Sequence, residues 1–160
     1  MKETDKSRRP PGASLLILAL IILAIGAIPA GIGLALEPSG AYLGFSLEQL
    51  AGSPFHNYLI PGLFLFAIIG VWSLVVAYGL WKRPAWPWTQ RLAGWSGRHW
   101  SWAAALLQGI ILVAWIVIQG SIIGFNSFLQ LIYFLFGLVL VVLCALPTVR
   151  EYYAAAMEAP

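Results

Sequence analysis

The sequence predicts an all-α integral membrane protein: a four-helix antiparallel bundle with a short helix-containing outer loop. Three observations carry that expectation. Hydrophobic residues make up 61% of the 160 residues and charged residues only 9%, whereas a soluble domain carries about 25% charge. Four segments, residues 14–36, 59–81, 100–122 and 127–146, are each apolar over the roughly 20 residues that cross a hydrocarbon core. None of them contains Asp, Glu, Lys, Arg or His. Finally, every Lys and Arg falls on one side of a four-span arrangement. In lipid each backbone polar group must be bonded internally, so such segments are helices. The short alternating strands that a β-barrel requires are absent from the pattern.

Residues 1–13 form a charged, proline-bearing tail ahead of the first span. The apolar run of residues 14–36 exceeds the roughly 7–15 residues of a secretory signal. No small-x-small cleavage pattern precedes Glu37, so the span is expected to be a retained anchor. Gly26, Ala30 and Gly33 are spaced by four and three, a small-residue face expected to form a close helix seam. Continuing that face reaches Glu37 at the outer end. Pro29 is expected to kink the helix.

The outer segment from Glu37 to Tyr58 opens with Pro38-Ser39-Gly40, a turn signature. Ser46-Leu47-Glu48-Gln49 matches a capping box, and Pro54 would end the short helix it starts. Tyr42, Leu43, Phe45, Leu47, Leu50 and Phe55 are costly to leave in water, so this segment is expected to lie on the bundle mouth or in the interface. Pro61 suits the first turn of the second span, in which Phe66, Gly70, Ser73 and Ala77 make a second packing stripe.

Between the second and third spans, Trp81, Trp86, Trp88, Trp95 and Trp100 are interleaved with Lys82, Arg83, Arg91 and Arg98. Indoles and basic side chains both suit the headgroup layer. The plain reading is an aromatic belt with topology charges. The sharper reading makes Lys82, Arg83, Arg91 and Arg98 a site for anionic lipid headgroups such as cardiolipin. By the positive-inside rule both termini and this loop are expected in the cytoplasm, which would make the protein a multi-pass component of a bacterial cytoplasmic (inner) membrane.

The third span carries Gln108, Leu112, Trp115 and Gln119 on one face, and the fourth carries Gln130, Tyr133, Gly137, Val141 and Cys144. Amides in lipid are expected to face the bundle and find partners. Antiparallel helices joined by a short turn would bring Gln119 near Gln130 at the outer end, with Gln108 deeper. Residues 148–160, with Arg150, read as a second cytoplasmic tail.

The outer mouth is therefore the candidate ligand-binding site, formed by Glu37, His56, Asn57, Gln119, Asn126 and Gln130, with Gln108 beneath. Glu48 and Gln49 lie on the same side. An acid and a histidine could move a proton, yet no spacing ties them together, so no catalytic residue is assigned. One outer His without an outer Cys makes a poor metal set.

Several activities are disfavoured by what the chain lacks. A single cysteine, Cys144, leaves no thiol pair for quinone-coupled disulfide chemistry. His56 and His99 fall on opposite sides of the membrane, so they cannot hold a haem between helices. No span has an acid for proton-coupled exchange, and there is no filter-like motif for an ion channel. Intramembrane hydrolysis lacks a buried Ser/His pair. No cofactor is expected. Nucleic acid is not an expected partner despite the formal net charge of +3, because the basic residues flank apolar spans.

The stretch from Glu37 to Gly62, reading EPSGAYLGF and then GSPFHNYLIPG, resembles a group of small bacterial four-span membrane proteins of unknown function. The resemblance extends through the Leu-Pro-x-x-Arg ending at Leu146–Arg150. It implies the fold and no activity. The expected function is that of a non-enzymatic membrane component, binding a lipid-like ligand or a partner membrane protein, or a second copy of itself, at its outer face. A small permease for an apolar or neutral solute is the alternative, and a lipid-headgroup enzyme is third.

Overall fold

A computed structural model describes residues 8–89, 94, 96–125 and 127–155. The described residues form five α-helices and no strand: α1 Pro11–Leu36, α2 Leu59–Lys82, α3 Trp100–Ile123, α4 Phe128–Ala145 and α5 Pro147–Ala155. The first four are long and apolar enough to cross a membrane. They close into a ring in which α1 packs on α2, α2 on α3, α3 on α4, and α4 back on α1. The all-α four-helix bundle expected from the sequence is the observed fold.

Helix α1 starts three residues earlier than the apolar pattern suggests. Pro10 is extended and Pro11 occupies the first turn, where a missing N–H costs nothing. Ala13 and Leu16 are already fully buried. The helix continues through Pro29 to Leu36.

The close approaches are made by glycines, and not all of them are the expected ones. A Cβ added at Gly31 would lie 2.5 Å from the Phe66 backbone nitrogen and 2.7 Å from its Cα. One at Gly62 would meet the Leu34 Cβ at 2.7 Å, and one at Gly70 would meet Ile28 at 2.7 Å. So α1 and α2 touch nearly backbone to backbone along Ile28, Gly31 and Leu34, a different face from Gly26–Ala30–Gly33. Gly26 instead faces the Tyr133 hydroxyl of α4, and Gly33 faces the ring of Tyr42. In α2 the expected stripe does face inward, with Ser73 fully buried and Ala77 nearly so. The α3–α4 contact has its own reciprocal pair, in which Gly109 lies under the Gly137 carbonyl and Gly137 under that of Gly109.

Within α2, residues Leu65–Val71 wind as a π-helix. Such a turn displaces backbone carbonyls from the regular ladder and is found mostly where a helix is locally reshaped. The core between the helices is built from Leu16, Leu20, Ile69, Val76, Leu80, Leu112 and Leu140. The outer faces carry exposed Leu18, Ile22, Ile25, Leu138 and Val142. Apolar side chains inside and out fit a protein whose solvent is lipid.

The α1–α2 connection is built as a cap. Two 3-10 turns, Ala41–Leu43 and Leu47–Leu50, are closed by Tyr58 N–H donating to Pro38 O at 2.8 Å. Leu50 and Tyr58 are buried with Leu34, and Leu43, Phe45 and Phe55 pack against them, while Tyr42 and Leu47 stay exposed. The capping box expected at Ser46–Gln49 does not form, because the Ser46 side chain makes no cap bond. The Tyr58 hydroxyl takes over, reaching the Ser46 carbonyl at 3.0 Å and Gln49 Oε1 at 3.2 Å. A capping box forms instead at the start of α4. Leu129 N–H donates to Ser127 Oγ, and Ser127 N–H donates to Gln130 Oε1, both at 3.2 Å.

The stretch read from 148 onward as a tail is a helix as far as it is described. In α5, Val149 and Tyr153 are fully buried and Tyr152 nearly so, a spacing of three and four that turns one face onto the bundle. Tyr153 O–H donates to the Leu80 carbonyl at 3.0 Å, and Arg9 Nη2 donates to the Trp81 carbonyl at 2.9 Å. Arg9, ahead of α1, and Tyr153, in α5, are thus both tied to the end of α2, at the basic end of the bundle.

Candidate functional site

At the loop end, no hydrogen bond joins the described residues singled out in the sequence to one another. Glu37 is exposed at the C-terminus of α1, where its carboxylate accepts from Ser39 Oγ at 2.6 Å. His56 is exposed on the cap. Asn57 is exposed too, its Oδ1 accepting from Leu59 N–H at 3.1 Å at the start of α2. Gln119 is half-buried. Asn126 lies outside the described residues.

Gln130 is buried, and its amide serves the chain itself. It accepts from Ser127 N–H and donates from Nε2 to the Gly124 carbonyl at 3.2 Å. Around it lies a groove of about 450 Å³, lined by Ile116, Phe125, Ser127, Phe128, Gln130, Leu131 and Phe134. Of the described residues expected at the mouth, Gln130 alone lines it. Both polar side chains among its described lining residues are bonded at the start of α4, and the rest of that lining is rings and aliphatic carbons.

Gln108 lies deeper and is fully buried. Its Nε2 donates to the Ile68 carbonyl at 3.1 Å, inside the π-helical turn of α2. Its Oε1 is buried without a hydrogen-bond partner. Nearby, Ser73 Oγ donates to the Ile69 carbonyl at 2.7 Å. The Gln108 bond ties α3 to the π-turn of α2 at mid-span, while the Ser73 bond stays within α2. Gln108 lines neither that groove nor the cavity at the basic end.

The basic end is more highly organised than a belt of independent indoles. Trp100 is almost fully buried and donates from Nε1 to the Pro84 carbonyl at 3.0 Å, while Trp86 stacks on it with ring centroids 5.1 Å apart. Trp102 Nε1 donates to the Cys144 carbonyl at 2.9 Å. The cations rest on rings. Lys82 lies over Trp81 at 4.4 Å, Arg83 over Tyr152 at 4.9 Å and Arg98 over Trp102 at 4.6 Å, distances at which the ring quadrupole attracts a cation. Arg83 itself sits at φ 51 where α2 ends. Arg91 lies outside the described residues.

His99 joins these elements. Its Nε2 faces the Pro84 carbonyl at 3.2 Å, and Nδ1 accepts from Ser101 N–H at 3.4 Å, capping α3. Ser101 Oγ lies closer to Nδ1, at 2.8 Å, so the ring bridges the Pro84 carbonyl and Ser101 at the start of α3. Burial pulls its pKa below the ordinary value, and the Arg83 charge acts in the same direction. Hydrogen bonds to the Pro84 and Arg83 carbonyls oppose them.

A cavity of about 270 Å³ lies at this end, lined by Arg98, Pro147, Arg150, Glu151 and Ala154. Of the described residues expected at a headgroup site, Arg98 is the only one on its wall. Arg150 and Glu151 were not singled out from the sequence. The signal that could have found them is the Val149, Tyr152, Tyr153 spacing just after a proline, which marks a docked helix.

Compared with protein-family models, with curated proteins and with solved structures, the chain matches none. The resemblance carried by the Glu37–Gly62 stretch therefore gains no family match. What the fold establishes is a multi-pass membrane protein with four apolar spanning helices.

Proposed function

We propose that this protein is a non-enzymatic component of a bacterial inner membrane, with both termini cytoplasmic, that holds a lipid-like chain at its outer face. The observation that carries this reading is the groove between the ends of α3 and α4. Three of its walls are phenylalanine rings, from Phe125, Phe128 and Phe134, and its two polar side chains are spent on the α4 cap. A polar solute would find only two polar side chains among the described lining residues, both already bonded at the start of α4, and would lose most of its hydration with little replacement. An acyl or isoprenoid chain loses nothing on entering and gains contacts with ring faces. The same chemistry makes the neighbouring lipid the occupant nearest to hand. The orientation rests on the gathering of all Lys and Arg at one end.

The reading is tested by reconstituting the protein with a phospholipid bearing a photoreactive diazirine on its acyl chain and mapping the adducts. Labelling is expected to concentrate on Leu131 and Phe134. Leu18 and Ile22, which are about as exposed as Leu131 (51%, 50% and 51%) but lie outside the groove, provide the background. Even labelling of all these positions would defeat the proposal.

A further inference from the structure

Because α5 begins at Pro147, directly after α4 ends at Ala145, its first turn folds back beside Arg98, the residue preceding the His99 cap of α3. The cavity of about 270 Å³ between them has two guanidinium groups and one carboxylate on its wall, from Arg98, Arg150 and Glu151.

Arg98 is held rather than floating. Nη1 donates to the Ser96 carbonyl at 2.9 Å, and the guanidinium lies over Trp102 at 4.6 Å. Trp102 is in turn pinned by its bond to the Cys144 carbonyl. Yet Arg98 Nε is buried without a hydrogen-bond partner, and a buried unsatisfied donor on a charged group is expensive. Among the described residues no hydrogen bond or ion pair joins Glu151 to Arg98 or Arg150. The site therefore has unspent donors of one sign and an unspent acceptor of the other.

Its depth is informative too. Arg98 stands two residues before the start of α3, and Pro147 two after the end of α4. That places the cavity at the level of lipid headgroups rather than in bulk water or in the hydrocarbon.

We infer that this cavity binds the headgroup of an amine-bearing phospholipid, with the phosphodiester on Arg98 and Arg150 and the primary ammonium on Glu151. The guanidinium fork matches a phosphate in shape and charge. A headgroup with only negative charge would leave its anionic surface facing Glu151, whereas one carrying phosphate and ammonium answers all three side chains. The site lies at the opposite end of the bundle from the phenylalanine groove and does not depend on it.

The test uses the full chain in detergent. Native mass spectrometry counts retained lipid while phosphatidylethanolamine, phosphatidylglycerol and phosphatidylcholine compete, and inorganic phosphate is titrated separately in a thermal-shift assay. Phosphatidylethanolamine is expected to be retained several-fold over both other lipids, with no stabilisation by millimolar phosphate. Arg150→Gln, at an exposed position that the fold does not need, is expected to cut retention of phosphatidylethanolamine about tenfold. Glu151→Gln is expected to abolish its preference over phosphatidylglycerol while total retention holds. Phosphate stabilising as well as lipid does would identify a free anion as the ligand and overturn the lipid assignment. Equal retention of the three lipids, or a preference unchanged in Glu151→Gln, would overturn the amine assignment. Retention unchanged in Arg150→Gln would overturn the site.

Discussion

The hydroxyl of Tyr153 donates to the carbonyl of Leu80 at 3.0 Å, joining residues 73 apart in sequence and fixing the last described helix to the end of the second span. Tyr153 is fully buried, so this bond has no competing water. Tyr153→Phe keeps the packing and orphans one carbonyl, and should cost about 1–3 kcal/mol. Tyr153→Ala also leaves a cavity and should cost about 3–5 kcal/mol. Thermal unfolding in detergent measures both, and hydrogen exchange should show α5 opening before the spans in the alanine variant. Equal losses would mean that α5 is held by something other than this residue.

Acidification should weaken the basic end through His99. Burial holds the pKa of the folded ring below the ordinary 6.5. Between the folded pKa and 6.5 the unfolded chain binds more protons than the folded one. Stability therefore rises with pH across that window and is lost as pH falls through it. Protonation would turn Nδ1 into a donor toward Ser101 Oγ and remove the bond it accepts from Ser101 N–H at the start of α3. Unfolding temperatures of the native protein and of His99→Asn, compared from pH 7.5 to 5, should diverge in slope, with the variant flatter. Parallel curves would remove His99 from the account.

The glycine contacts rank the substitutions in α1. At Gly31 an added carbon meets the Phe66 backbone, which cannot give way. At Gly26 it meets only the Tyr133 hydroxyl at 2.9 Å, the far end of a side chain that can swing. Gly31→Ala should therefore lower the unfolding temperature well beyond Gly26→Ala, and Gly31→Leu should abolish a folded monodisperse peak in size-exclusion chromatography. If Gly26→Ala proved the more damaging, the α1–α2 crossing described above would be wrong. Gly33→Leu, in the small-residue face expected from the sequence to form a seam, meets only the Tyr42 ring, whereas Leu20→Ala would empty a fully buried position. The latter should cost about 2–5 kcal/mol.

Orientation is open to direct labelling. Glu48 and Lys82 are both exposed and stand at opposite ends of the bundle, whereas Thr89 in the basic loop is buried at 2% exposure and would stay silent in either orientation. In the Cys144→Ser background, Glu48→Cys should react with an impermeant maleimide on intact cells. Lys82→Cys should react only after permeabilisation. The reverse pattern would invert the proposed topology.

Much of the architecture was legible in the residues themselves. Four uncharged apolar segments can only be helices in lipid, since no other local structure satisfies their backbone. Gathering every Lys and Arg at one end follows from counting. Both are properties of composition along the chain and need no knowledge of neighbours.

The candidate sites were legible only in part, because they depend on which faces meet. Gln130 read as an interhelical amide, yet local geometry made it half of a capping box with Ser127. Gly26, Ala30 and Gly33 share a face, but α2, α4 and the α1–α2 cap all pack on that helix, and the closest approach to another backbone falls to Gly31. Arg98 and Arg150 lie far apart in sequence and meet at one cavity only because α5 turns back after Pro147. Sequence alone determined how many times the chain crosses the membrane and where its charge lies, since burial in lipid acts on each segment separately. The tertiary structure decided which side chains line the groove and the cavity, because that depends on packing between segments whose apolar faces are nearly alike.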